Sequence, residues 1–131
     1  MRLTRASSYA LHAVVFMAVQ RQQNKPVASH HIAKARGIPE RFLLKVLKPL
    51  VSARVLHSIK GPNGGYRLAR SASDISMLEI IEAVDGPMRG HVAFQSEAKD
   101  AALYKHLESL CVQATDKTRK SLQSVKLSQL M

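Results

Sequence analysis

Arg41, Lys45 and Lys48 recur at spacings of four and three within the stretch Glu40 to Leu50, alternating with the aliphatic Leu43, Val46, Leu47 and Leu50. At helical periodicity this puts the cations, with Glu40 and Leu44, on or near one face and the aliphatics on the other. Guanidinium and ammonium groups aligned along a helix can donate to phosphate oxygens and to the major-groove acceptors of guanine, and a leucine among them can meet a thymine methyl. Arg41 and Lys45 lie toward the start of the stretch and are the candidates for base edges; Lys48, nearer Pro49, is the candidate for phosphate. Further on, Lys60, Gly61, Pro62, Asn63, Gly64 and Gly65 form a dense turn signal. Its glycines let backbone approach a sugar-phosphate wall closely, while Lys60 and Asn63 can reach a minor groove.

Other chemistries have less to build on. A single cysteine, Cys111, excludes an internal disulfide and cannot supply the three or four thiolates of an all-cysteine zinc or iron-sulfur site. His106 and Cys111 are five apart, which on a helix separates them by about 140° and spoils chelation within one chain, so with His91 they could serve a metal only across a dimer. His30 and His31 are adjacent and read as surface or phosphate-contacting residues. Cys111 reads first as a small packed side chain, with redox chemistry, through a disulfide to a dimer mate or a sulfenic acid, as the alternative. There is no Ser-His-Asp arrangement or paired catalytic carboxylates, and Gly61 to Gly65 lacks the Lys-Ser/Thr of a phosphate loop. Neither an enzyme nor a resident cofactor is expected.

The charge is unevenly placed. The 131 residues carry a net +11, yet residues 1 to 70 hold thirteen of the twenty Lys and Arg against Glu40 alone, and the remainder holds seven against eight acids. A basic excess confined to one part marks a face for a polyanion there and a different role, such as assembly, for the rest. With 46% apolar and 22% charged residues the chain has a globular composition. Arg2 and Arg5 precede the apolar stretch Ala10 to Val19, which is too short to span a bilayer, is interrupted by His12 and is followed by Gln20 to Gln23 where small residues would mark a cleavage site. Neither secretion nor a membrane segment is expected, and the cytoplasm is the expected location.

The elements that must position these residues follow from periodicity. A first helix is predicted from about Ala6 to Gln22, ended by Asn24, Lys25 and Pro26. A second runs from about Ser29 to Arg36, packs through Ile32 and Ala33, and is closed by Gly37. Pro39 suits the first turn of the third, whose last turn Pro49 should kink or tighten. Val55 to Ile59 and Tyr66 to Leu68 read as a two-stranded hairpin. Ser76 and Glu79 form a capping-box pattern for a fourth helix ending near Asp85 and Gly86. Residues 87 to 97 read as a loop. From about Ala98, Leu103, Leu107, Leu110 and Ala114, then Leu122 and Val125, keep a helical apolar spacing, and so long and one-sided a helix wants a partner.

Two short helices, the second basic, followed by a hairpin with a Lys- and Gly-rich tip, are the layout of a winged helix-turn-helix. The fold expected is mainly α with a small β-hairpin, in three parts: a winged helix-turn-helix region at 1–87, a loop at 88–97, and a long dimerisation helix and tail at 98–131. The functional reading is a DNA-binding regulator; the alternatives are a winged-helix adaptor for RNA or an acidic protein, or a redox sensor acting through Cys111. Basic residues on a helix are also those of any solvated face, so spacing alone does not decide.

More specific is the set Met1, Arg2, Leu3, Thr4, Tyr9, Ala10 and Leu11; Ile32, Ala33, Gly37, Ile38, Leu43, Leu47 and Leu50; Ser58, Gly61, Gly64, Gly65, Tyr66, Leu68 and Ala69; and Ile75, Ile80, Ala83, Val84, Gly86 and Pro87. It resembles the IscR/NsrR-type (Rrf-two) family of bacterial transcription regulators over residues 1 to 87, and more weakly at Val125, Lys126, Leu127 and Leu130. The resemblance implies a transcriptional regulator, a repressor by expectation, that binds double-stranded DNA as a homodimer through paired long helices, with its effector open. It puts Arg41, Phe42, Leu44 and Lys45 at recognition-helix positions and Lys60 at a wing position that is usually Arg; Lys48, Ser58, Gly61, Asn63 and Gly64 complete the expected DNA-binding set.

Departures bear on mechanism. Members that sense through an iron-sulfur cluster carry three cysteines between the Gly-Pro after the fourth helix and the long helix, and this chain has none there. Aligned on the end of the long helix, Lys105 and Glu108 fall where the last family cysteine and an occasional fourth ligand stand, and Cys111 where Trp is common. Arg54 replaces a usual Gly, where a left-handed backbone would cost about 1 kcal/mol unless a phosphate contact offsets it. Ala28 replaces the usual Ser cap of the second helix, so Ser29 is expected to shift the cap by one residue. Lys60 lacks the planar fork of Arg.

Overall fold

The computed structural model describes residues 1–20, 25–92 and 101–131. In chain order the elements are α1 (Arg5–Val19), α2 (Ser29–Arg36), α3 (Glu40–Ser52), β1 (Leu56–Ile59), β2 (Gly65–Leu68), α4 (Met77–Asp85), α5 (Ala101–Ser124) and a closing 3-10 turn at Leu127–Gln129. The fold is therefore mainly α with one antiparallel hairpin. Its core lies between α1, α3, α4 and the base of the hairpin, where Val14, Ile32, Leu43, Leu47, Leu50, Val55, Ile75, Ile80 and Leu127 are fully buried.

Local chemistry explains the boundaries. Thr4 caps α1, its Oγ1 accepting from the Ser7 amide at 3.0 Å. Gln20 closes α1, and the predicted continuation to Gln22, with Asn24 among its stop residues, lies outside the described residues. Gly37 takes the left-handed conformation that ends α2. Ser29 does not shift the cap of α2: Ala28 stays at that position without a side-chain bond, and Ser29 is already helical, its Oγ donating instead to Glu40 Oε1 at 3.1 Å. Pro39 stands just outside α3 as its N-cap, and α3 continues past Pro49 to Ser52. The capping box of α4 is complete: the Glu79 amide donates to Ser76 Oγ at 3.1 Å and the Ser76 amide to Glu79 Oε2 at 2.9 Å.

Three long-range devices join these pieces. Asp85, at the C-terminal end of α4, accepts from Thr4 Oγ1 at 2.8 Å and from the Ser7 hydroxyl, so its charge serves the N-terminus of α1. Arg70 donates to the Arg54 carbonyl at 3.2 Å, the Asp74 carbonyl at 3.1 Å and Glu79 Oε1 at 2.5 Å, tying the end of the hairpin to the α4 cap. Burial opposes ionisation of Glu79, but hydrogen bonds from Arg70 and the Ser76 amide outweigh it and hold its carboxyl below the usual value. Finally, the segment after α5 returns to the body: the Met77 amide donates to the Val125 carbonyl and the Leu127 amide to the Ile75 carbonyl, both at 2.8 Å.

The 24 residues of α5 span about 36 Å, and Leu122 is the one buried residue along them. The single apolar stripe predicted here is in fact two. Leu103, Leu107 and Leu110 are exposed, whereas Leu122 and the half-buried Val125 turn to the body. After Ala114 the same spacing leads to Lys117 and Ser121, and Leu122 stands one residue, about 100°, further round. Arg119 pairs with Glu82 of α4, whose carboxylate also accepts from the Met88 amide at 2.6 Å. Gly90 lies so close to α5 that a Cβ there would stand 2.5 Å from Val112 Cα. Residues 86–92 carry no regular element; 93–100, with the predicted start of the long helix at Ala98, lie outside the described residues.

Candidate nucleic-acid interface

The α3 faces separate as their spacing requires. Leu43, Val46, Leu47 and Leu50 are buried, and Arg41, Leu44, Lys45 and Lys48 are exposed. Phe42 is half-exposed between two of the cations: the Arg41 guanidinium lies 4.8 Å and the Lys45 ammonium 5.6 Å from its ring centroid. A partly exposed ring is thereby covered by charge while both cations stay at the surface. Glu40, the one carboxylate of the basic part, is engaged by Ser29 at the start of the helix.

Beside α3 stands the hairpin, with Leu56 opposite Leu68, His57 opposite Arg67, Ser58 opposite Tyr66 and Ile59 opposite Gly65. Lys60, Gly61 and Asn63 are exposed at its tip, and Gly64 is half-buried. A Cβ on Gly64 would stand 2.1 Å from the Ile59 carbonyl oxygen, so the tight return requires glycine. A further strand-like contact braces β2 just after the tip: the Val27 amide donates to the Tyr66 carbonyl at 2.8 Å and the Tyr66 amide to the Val27 carbonyl at 2.9 Å. Gly65 belongs to that brace, since a Cβ there would come within 2.4 Å of the Val27 carbonyl oxygen.

Of the residues singled out from sequence, Leu44, Lys48 and Ser58 meet in one groove of about 360 Å³ between α3 and the hairpin. Val51, Ser52 and Tyr66 line the same groove and were missed. Alternation within β1 and β2 pairs Ser58 with Tyr66 on one face, but only the approach of α3 makes that face a groove. Lys60 and Asn63 lie apart from it at the tip.

The residues expected to pair two subunits stand elsewhere. Leu103, Leu107, Leu110 and Ala114 are exposed on α5, and Cys111 beside them is half-buried. Among the described residues no three His, Cys, Asp or Glu side chains are grouped as metal ligands, and no helix is long and apolar enough to cross a membrane.

Comparison with known proteins adds a family to this geometry. The profile named Rrf2, described as an iron-dependent transcriptional regulator, matches residues 3–131. Protein aau3 of Rhizobium meliloti is 31% identical over 103 residues, covering 79% of this chain and 66% of that protein. The HTH-type transcriptional regulator IscR of Vibrio atlanticus is 38% identical over 85 residues, covering 65% of this chain and 49% of that protein. The chain thus spans about half to two thirds of the length of the curated relatives it matches. Among solved structures, CymR (YrzC), the global cysteine regulator of B. subtilis, superposes with a TM-score of 0.77 at 24% identity over 99% of this chain and 95% of that one, a likeness of fold.

The one cysteine of the whole sequence cannot supply the three or four thiolates of an all-cysteine iron-sulfur cluster, and among the described residues no three ligating side chains are grouped to hold a single iron ion.

Proposed function

The chain belongs to the Rrf2 family of transcriptional regulators, and from that premise we propose that it binds double-stranded DNA sequence-specifically as a homodimeric repressor. One observation carries the reading: the cations of α3 face solvent beside a hairpin whose tip presents Lys60 and Asn63. In this reading α3 enters the major groove, Arg41 and Lys45 reach base edges, Leu44 meets thymine methyls, and Phe42 carries the two cations. Lys48 and Ser58 take phosphate, and the tip, with Gly61 and Gly64, follows the backbone toward the minor groove. Residues 1–87 form the DNA-binding region and 98–131 the pairing region, through Leu103, Leu107, Leu110 and Ala114. Bound at a promoter, such a dimer represses by occupying ground the polymerase needs.

Regulation without an iron-sulfur cluster is part of the proposal, since the thiolates are not in the chain. Selection of duplexes from a randomised pool, followed by footprinting, tests the whole. A two-fold-related pair of protected half-sites is the expected result, together with an anaerobically purified protein that is colourless and free of iron. Preference for single-stranded RNA or an acidic protein at matched salt would overturn the DNA assignment, and a brown, iron-loaded protein would overturn the cluster-free one. Derepression of a reporter on deleting the gene checks the sign of regulation.

A further inference from the structure

The groove between α3 and the hairpin is walled by Leu44, Lys48, Val51 and Ser52 on the helix side and by Ser58 and Tyr66 on the strands. Its place matters for a duplex. A helix in the major groove and a wing toward the neighbouring minor groove are separated, on the DNA, by one sugar-phosphate strand. That strand has to cross the protein between α3 and the hairpin, where the groove lies. We propose that the groove is a seat for a backbone phosphodiester, with Lys48 supplying the charge and the Ser58 and Tyr66 hydroxyls donating to its oxygens. The proposal rests on the DNA-binding reading and adds Tyr66 to it.

The chemistry of the lining fits that occupant. It combines one ammonium with three hydroxyl side chains and holds no carboxylate, and Glu40 is taken up by Ser29. The Ser52 hydroxyl already donates to the Lys48 carbonyl at 3.3 Å, whereas among the described residues none accepts from Ser58 or Tyr66. Those two are paired directly across the strands, so both side chains leave the same face of the hairpin, the face that α3 turns into a groove. Tyr66 is also held in place before any DNA arrives, because its amide and carbonyl are both bonded to Val27. Val51 offers apolar contact to the flanking deoxyribose. A phosphate seated here carries no sequence information; it fixes the depth and register at which Arg41 and Lys45 meet the bases.

Methylphosphonate scanning tests this. In the tightest duplex from the selection, each phosphate between a half-site and its flanking minor groove is replaced in turn by a neutral methylphosphonate. Each duplex is then titrated with wild type, Tyr66→Phe, Ser58→Ala and the double variant. Loss of hydrogen bonds to a charged phosphate should weaken binding of unmodified DNA about tenfold for the double variant. At one or two positions the methylphosphonate should weaken wild type to a similar degree and the double variant hardly further, because both changes remove the same contact. The salt slope should be unchanged for the hydroxyl variants and reduced by about one for Lys48→Ala. Strictly additive losses at every position, with wild type binding normally, would overturn the seat and leave the DNA-binding reading standing. Failure of wild type to bind any duplex would overturn both.

Discussion

Two helices of this protein keep a face in water, and they keep opposite kinds. Along the 13 residues of α3 four are buried, and the open side is led by Arg41, Lys45 and Lys48. Along the 24 of α5 one is buried, and the open side carries Leu103, Leu107 and Leu110, at 53%, 42% and 47% exposure. Cations at a surface are solvated, and a polyanion that replaces their counter-ions gains by releasing its own. Leucines in water have no such resting state: burying the exposed half of each is worth about 1 kcal/mol, and pairing two copies buries six. The basic face can wait for its partner, while the apolar one calls for protein to cover it, and a second copy offers the same stripe in return.

The sharpest way to break this contrast is to put charge on the apolar side. Leu107→Glu with Leu110→Glu sets carboxylates against their symmetry mates in a desolvated seam, costing several kcal/mol. The expected protein is a monomer by light scattering with unchanged helical content, and its operator affinity should drop by about 10²-fold or more as the two half-sites uncouple. A variant that remains a dimer would show that α5 is not the pairing face.

Next in size are changes to the basic face. Arg41→Ala and Lys45→Ala should each cost about 1–3 kcal/mol on the preferred duplex and relax the choice of base at the position each one reads. Lys48→Ala should weaken all sequences alike. Isothermal titration on matched and single-mismatch duplexes separates the two behaviours; wild-type discrimination in Arg41→Ala would move base reading off α3.

How much of this was legible in the sequence depended on distance along the chain. The two faces of α3, the Gly37 stop, the Ser76 and Glu79 capping box and the hairpin tip are all settled within a few residues, where spacing and turn chemistry act. The bonds from Thr4 to Asp85, the brace from Val27 to Tyr66 and the ties of Arg70 join segments that only the fold brings together. Asp85 did leave a signal, since a carboxylate at a helix C-terminus opposes the helix dipole unless another helix start lies nearby. Tyr66 left none: its groove exists because α3 passes the strands. On α5 the apolar spacing holds from Leu103 to Ala114 but the stripe does not continue, because the repeat passes to Lys117 and Ser121 and Leu122 stands one residue, about 100°, off it, where it meets the body.

The smallest effect tests where the basic face ends. Arg54, in the turn after α3, has φ 60°, the left-handed region expected for a position usually held by glycine. Its amide donates to the Val51 carbonyl at 3.0 Å and its carbonyl accepts from Arg70, so this conformation is fixed from both sides. Arg54→Gly relieves about 1 kcal/mol of backbone strain and returns part of it to the unfolded chain as entropy. A net gain of about 0.5 kcal/mol, or a rise of about 2–3 °C in Tm, is expected. The exposed guanidinium, however, stands at the end of the helix that carries Lys48. If it is a phosphate contact, the more stable variant binds DNA more weakly, with a salt slope lower by about one. That opposition is the expected result, because it gives a reason for an arginine where the backbone favours glycine. Higher stability with unchanged affinity would place the edge of the basic face at Lys48.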